Sequence, residues 1–275
     1  MVSTATILCI CISLVICLLL PIVIMVLLTA KFHKQGIVSA WLLGAAGFFV
    51  TQILIRLPIL TGLSSQSWFL SFSQSHLFAY VFCLAFTAGL FELAGRFCVA
   101  KILVRKNLPF RRSLAAGLGH GGIEAMVITG IAMVNNLAYA AMINSGTFGS
   151  ILAQSASAGV DVSQLEMISQ QLISYPAPMF LLGAFERILA MTAHAAMSML
   201  VCYGVAHKKI LPCTMVCLGI HTFIDLTAGL TLILPQTTAY LIVYTILTAV
   251  AVFSLYVIRE LHRRWHNMEE YHESE

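Results

Sequence analysis

Long apolar runs recur along this chain from end to end, and nothing else in it constrains the fold so tightly. A run of about 18 or more such residues is long enough to cross a bilayer as a helix. In hydrocarbon every backbone N–H and C=O must be satisfied within the protein, so only helices and closed barrels can span it. Barrels read as alternating segments of about 10 residues, and no such alternation is found here. Apolar residues make up 60% of the 275, and charged residues only 9%. The pattern predicts an all-α, polytopic transmembrane bundle, integral to the cell membrane. Seven spans are expected, at about 4–30, 37–63, 76–104, 113–145, 177–206, 210–234 and 237–259. They form a single integral-membrane domain over residues 1–265, followed by a polar, disordered cytoplasmic tail at 266–275 (HNMEEYHESE). The first run has no basic residue ahead of it and Lys31 and Lys34 behind it, which reads as a span rather than a cleaved signal peptide.

Basic residues orient the bundle. Lys31 and Lys34, then Lys101, Arg105, Lys106, Arg111 and Arg112, then Lys208 and Lys209, then Arg259, Arg263 and Arg264 fall in alternate loops and the tail. These are twelve of the fifteen basic residues, and the intervening loops hold none. Lysine and arginine stay on the cytoplasmic side, so the N-terminus is expected outside and the C-terminus in the cytoplasm. The net charge of +4 then belongs to the inner loops and suits an anionic leaflet rather than a nucleic acid. The longest outer loop, 146–176, carries Leu165, Ile168 and Leu172 at helical spacing. It reads as a short amphipathic helix on the outer interface. Pro176 and Pro178 then open the fifth span. All eight cysteines fall inside expected spans and no CxxC occurs, so they read as small core residues.

The ionisable residues inside the spans carry the functional signal. Such groups are rare at membrane depth and face the bundle interior, where they pair or act. Glu92 stands 13 residues from Arg105, Glu124 12 from Arg112, His194 14 from Lys208 and His221 12 from Lys209. At about 1.5 Å per residue all four lie about 20 Å from the inner basic belt. Four helices thus bring two carboxylates and two imidazoles to one plane. His120 and Arg96 lie one turn nearer the cytoplasm, and Asp225 one turn the other way. A second layer, nearer the outside, holds Arg56, Glu186 and Arg187, with Arg56 expected to pair with Glu186. Within the inner layer, Glu92 and Arg96 are i, i+4, a favourable orientation for a helical ion pair. His120 with Glu124, and His221 with Asp225, repeat that spacing, so Asp225 can fix the tautomer of His221. Gly117, Gly119, Gly121 and Gly122 surround His120 and let neighbouring helices approach closely.

Four stretches carry a resemblance: FELAGR (Phe91 to Arg96), GLGHGGIEA (Gly117 to Ala125), FERILAMTAHAAMS (Phe185 to Ser198) and HTFID (His221 to Asp225). In order and spacing they resemble the YhfC family of intramembrane peptidases, which is similar to the PrsW proteases and the CAAX-prenyl-type (CPBP) glutamic intramembrane proteases. The resemblance covers about half of the chain. It implies hydrolysis of a peptide bond in a membrane protein or a lipidated peptide. Relatives carry two adjacent glutamates in the first motif, whereas Glu92 is followed here by Leu93. The base role passes to Glu92, assisted by Arg96 and by His120 or His194. His221, oriented by Asp225, donates to the oxyanion, and Glu124 shares the water or protonates the leaving amine. This glutamate-activated route needs no cofactor and is the first expectation. The second is zinc on His120, His194 and His221. From other functional classes, a proton- or ion-coupled transporter and a non-catalytic membrane scaffold remain as alternatives.

Overall fold

A computed structural model describes residues 1–32, 36–104, 110–158 and 161–273, with side chains through Trp265. Lys34, Arg105 and Lys106, part of the expected inner basic belt, lie outside the described residues. The structure is helical, and no strand occurs among the described residues. Among the described residues, seven helices are long and apolar enough to cross a membrane: Thr4–Lys31, Ile37–Ser64, Leu77–Val104, Phe110–Ser145, Ala177–Ala206, Ile210–Leu232 and Gln236–Trp265. They are numbered here as the first to seventh spans. The protein is a multi-pass integral membrane protein. The last helix continues to Glu273, whereas the sequence reading expects disorder after Trp265. No proline or glycine interrupts 266–273, so nothing local stops the helix.

Among the described residues, two spans contain π-helical stretches that apolar periodicity does not reveal. Phe49–Arg56 in the second span and Ala125–Gly130 in the fourth are π-helical. Widened turns of this kind shift the register of side chains and recur at functional sites. Here one contains Gln52 and the other begins directly after Glu124.

The chain groups into two compact units. The first comprises Met1–Ile22 and Ala125–Ile188. Its core is Val2, Ile10, Met133, Ala140 and Leu172, with Ile168 packed against it. Leu172 and Ile168 come from the helix Ser163–Ser174, so two of the three residues of the apolar stripe read from its sequence pack on this core, with Leu172 buried. Asp161 accepts a hydrogen bond from the Ser163 backbone N–H at 2.9 Å, which satisfies a donor at the start of that helix and lowers the Asp161 carboxyl below its ordinary value. Asn144 and Val2 exchange two hydrogen bonds, at 2.7 and 3.1 Å. Ser13 donates to the Phe180 carbonyl at 2.6 Å. Glu186 is paired with its neighbour Arg187.

The second unit comprises Val23–Glu124 and Leu189–Glu275 and contains every residue of the inner ionisable layer. Its helices meet through small residues. A Cβ added at Gly44 would fall on the Ala116 carbonyl, and one at Gly119 on the Trp41 carbonyl, so the second and fourth spans touch backbone to backbone. At Gly95 a Cβ would lie 2.6 Å from the Gly47 carbonyl oxygen, which brings the third span against the second. Between helices in lipid there is no hydrophobic driving force, so close van der Waals packing of this kind holds them together. Cys202, Cys213 and Cys217 lie in this core, as expected of small apolar residues, whereas Cys83 and Cys98, also read as core residues, are exposed on the third span.

Candidate active site

The site is centred on the Glu92 carboxylate, which the third span buries in the second unit. Its Oε2 lies 3.0 Å from Arg96 Nη2, 3.0 Å from His120 Nε2, 2.7 Å from His221 Nε2 and 3.7 Å from His194 Nδ1. A single oxygen thus faces a guanidinium and three imidazoles from three other spans. A buried carboxylate at this depth is costly unless its charge is met by partners, and here every neighbour is a donor or a cation. Arg96 Nη2 also lies 2.5 Å from His194 Nδ1.

The glycines of the fourth span explain how two histidine-bearing helices come so near. Gly117 and Gly121 face the fifth span. A Cβ at Gly117 would lie 2.7 Å from the Ala195 Cα, and one at Gly121 would lie 3.0 Å from both His194 Cβ and Met191 Cα. Gly119 faces the second span at Trp41. His120 is therefore carried on a stretch of helix that has neighbours pressed against it on two faces. Its ring packs edge-on to Phe48, with centroids 5.3 Å apart, and lies 5.4 Å from the His194 ring.

Two of the three histidines around the Glu92 oxygen have a carboxylate beyond their other ring nitrogen. His194 Nε2 lies 2.7 Å from Glu124 Oε2, and His221 Nδ1 lies 3.4 Å from Asp225 Oδ2. Glu124 and Asp225 are more open than the rest, with side chains 15% and 33% exposed, and form the rim of the cluster. Beside Arg96, His120 and Ser198 lies a cavity of about 10 Å³, about the size of one water.

The structure brings together all seven residues read from the sequence: Glu92, Arg96, His120, Glu124, His194, His221 and Asp225. Three details differ from the sequence reading. His120, placed one turn nearer the cytoplasm by counting, reaches the same oxygen as His221, because an imidazole spans most of a helical turn. Glu124 shares a face with His120 by spacing, yet its partner is His194. The expected zinc ligands were three histidines, whereas the ligand atoms within 4.8 Å of one another belong to Glu92, His194 and His221. Arg56, expected to pair with Glu186, finds partners in its own unit: Leu84 O at 2.7 Å and Gln52 Oε1 at 3.3 Å.

One site residue escaped the sequence reading. Gln52 is buried and donates from Nε2 to Glu92 Oε1 at 2.9 Å and to the Ala88 carbonyl at 3.1 Å. The signal was present: a glutamine in the middle of an apolar span, four residues before Arg56.

A family model described as YhfC intramembrane metalloprotease matches residues 16–256. The membrane protein YhfC of Bacillus subtilis (strain 168) is 30% identical over 210 residues, which cover 76% of this chain and 79% of that protein. No solved structure matches significantly. With the matched region taking in every residue of the Glu92 cluster, the chain belongs to the YhfC intramembrane metalloprotease family.

Proposed function

We propose that this protein is a metal-dependent intramembrane peptidase that holds a zinc-class divalent cation on Glu92, His194 and His221. The observation that carries the reading is the orientation of the two imidazoles. His221 turns Nε2 to Glu92 Oε2 at 2.7 Å, and His194 turns Nδ1 to the same side, 3.7 Å from that oxygen and 2.5 Å from Arg96 Nη2. Their other nitrogens face carboxylates, Glu124 for His194 at 2.7 Å and Asp225 for His221 at 3.4 Å. Metal-ligating histidines commonly face an acceptor on the outer nitrogen, which fixes the tautomer and raises the basicity of the inner one. Glu124 stands at that distance from His194, and Asp225 lies within ion-pair range of His221. One carboxylate and two imidazoles are also a known ligand set of catalytic zinc, which leaves a position open. The sequence alone ranked a glutamate-activated water ahead of a metal. The paired outer carboxylates and the family's description reverse that order.

A cation bound there supplies Lewis acidity, acidifying water and polarising a carbonyl oxygen. The residues around it have separable tasks. Arg96 and His120, both 3.0 Å from Glu92 Oε2, fix the carboxylate. Glu124, on the rim, takes a proton from the attacking water as its oxygen bonds to the peptide carbon. It returns that proton to the nitrogen as the C–N bond breaks. The closely packed glycines leave little room around the cluster, and the low local dielectric strengthens charge interactions inside it. The substrate class we assign is a membrane protein or lipidated peptide, because the cluster sits on membrane-spanning helices that only such a chain can approach.

The test is metal analysis of the full-length protein purified in mild detergent, paired with proteomics of cells carrying wild-type or Glu92→Gln protein. One zinc per chain is expected, lost in His194→Gln and His221→Gln, with membrane proteins left uncut in the Glu92→Gln cells. Cleavage that persists in metal-free, chelator-treated protein would return the assignment to glutamate-activated water.

A further inference from the structure

We infer that Gln52 is a positioning residue, which sets the rotation of the Glu92 carboxylate and so decides which of its oxygens faces the histidines. The inference rests on the metal reading above and names a residue outside all four sequence motifs.

The argument starts from the Gln52 amide. Its oxygen and nitrogen ends are chemically distinct, and a hydrogen-bond network can select between them. Arg56 is donor-only, and its Nη1 lies 3.3 Å from Gln52 Oε1, so the oxygen end is claimed. Two acceptors then face the nitrogen end, the Ala88 carbonyl at 3.1 Å and Glu92 Oε1 at 2.9 Å. The two N–H bonds of the amide match these two acceptors, so every polar atom of this buried side chain is used. The amide cannot flip without setting its carbonyl oxygen against two acceptors and its NH₂ against a guanidinium.

Arg56 is fixed in turn by the Leu84 carbonyl at 2.7 Å. A chain of directed bonds therefore runs from the third-span backbone through Arg56 and Gln52 to Glu92 Oε1. With Oε1 held, Oε2 has one direction left, and it points to Arg96, His120 and His221 at 3.0, 3.0 and 2.7 Å. Gln52 reaches this position from a π-helical turn, Phe49–Arg56. Such a turn is less favourable than the α-helix and persists where something depends on it.

The consequence is a dependence of metal affinity on Gln52, although Gln52 offers no ligand to the metal. Loss of an outer partner of a metal ligand typically weakens binding about 10- to 100-fold. The experiment titrates zinc into full-length protein in detergent against a chromophoric chelator, for wild type, Gln52→Leu and Gln52→Met. Both variants keep the volume of the side chain and remove its donors. The cobalt(II) absorption spectrum of each is recorded as well, because it reports the ligand geometry and does not follow global stability. The expected result is a dissociation constant raised about 10- to 100-fold and a shifted cobalt spectrum, in whichever variant elutes as a folded protein. If both variants fail to fold, Gln52 is a structural residue and the inference falls. Affinity and spectrum unchanged in a folded variant would overturn it and leave the metal reading intact. A wild-type protein that binds no zinc would overturn the metal reading and this inference together.

Discussion

The packing of the fourth span against the fifth predicts a specific failure for Gly117→Ala. A Cβ there would lie 2.7 Å from the Ala195 Cα, 2.9 Å from the Ala195 carbonyl oxygen and 3.0 Å from the Ser198 Cβ. Ordinary van der Waals contact begins at about 3.4 Å and runs to about 4 Å. The two helices must therefore separate locally by close to 1 Å, since backbone atoms cannot rotate away. Overpacking of this kind costs about 1–3 kcal/mol, and a clash with backbone belongs at the upper end. Replacing a helical glycine returns about 0.5–1 kcal/mol of propensity. The net loss is then about 2–2.5 kcal/mol. Gly219, where an added Cβ meets nothing within 4 Å, supplies the control. Gly219→Ala should gain about 0.5–1 kcal/mol by the same propensity term. The assay is reversible unfolding in mixed detergent micelles, followed by circular dichroism, with zinc affinity measured on the same samples. The His194–Glu124 contact of 2.7 Å stretches beyond hydrogen-bonding range when the helices part by this distance. Zinc affinity should therefore fall in Gly117→Ala and hold in Gly219→Ala. Equal stability and equal affinity in the two variants would refute the argument that the glycine stretch exists to bring the histidine helices together.

Glu124→Gln should weaken zinc binding about 10- to 100-fold without unfolding the protein, because an amide can still accept from His194 but without charge; unchanged affinity by competitive titration would remove Glu124 from the site. Strong chelators should abolish cleavage and added zinc should restore it, measured on a membrane substrate found by the Glu92→Gln comparison. The loop charges predict the N-terminus outside and the C-terminus in the cytoplasm. A cysteine introduced at Ser157 should then react with impermeant reagent in intact cells, and a reporter fused after Glu275 should be cytoplasmic; a protected Ser157 would break that orientation.

The sequence by itself determined the number of spans, the limits of six of them to within a few residues, and seven of the residues that meet in the site, Gln52 excepted. All of this follows from the solvent. Hydrocarbon admits only self-satisfied helices, so length and apolarity mark each span, and it penalises charge, so Glu92, Glu124, His194 and His221 stand out against an apolar background. Rise per residue is fixed, which made depth countable along each helix. Partner choice was a different matter. Counting along a helix gives depth but neither its rotation nor its neighbour, and here both depend on which helix faces the glycines. Gly117 and Gly121 admit the fifth span and Gly119 admits the second; the resulting approach sets Glu124 on His194 instead of His120. The π turns at Phe49–Arg56 and Ala125–Gly130 further break the α register from which faces are read. Only the tertiary structure could bring Gln52 to Glu92, because a single glutamine is cheap enough in a helix to attract no notice until its amide meets a buried carboxylate from another span.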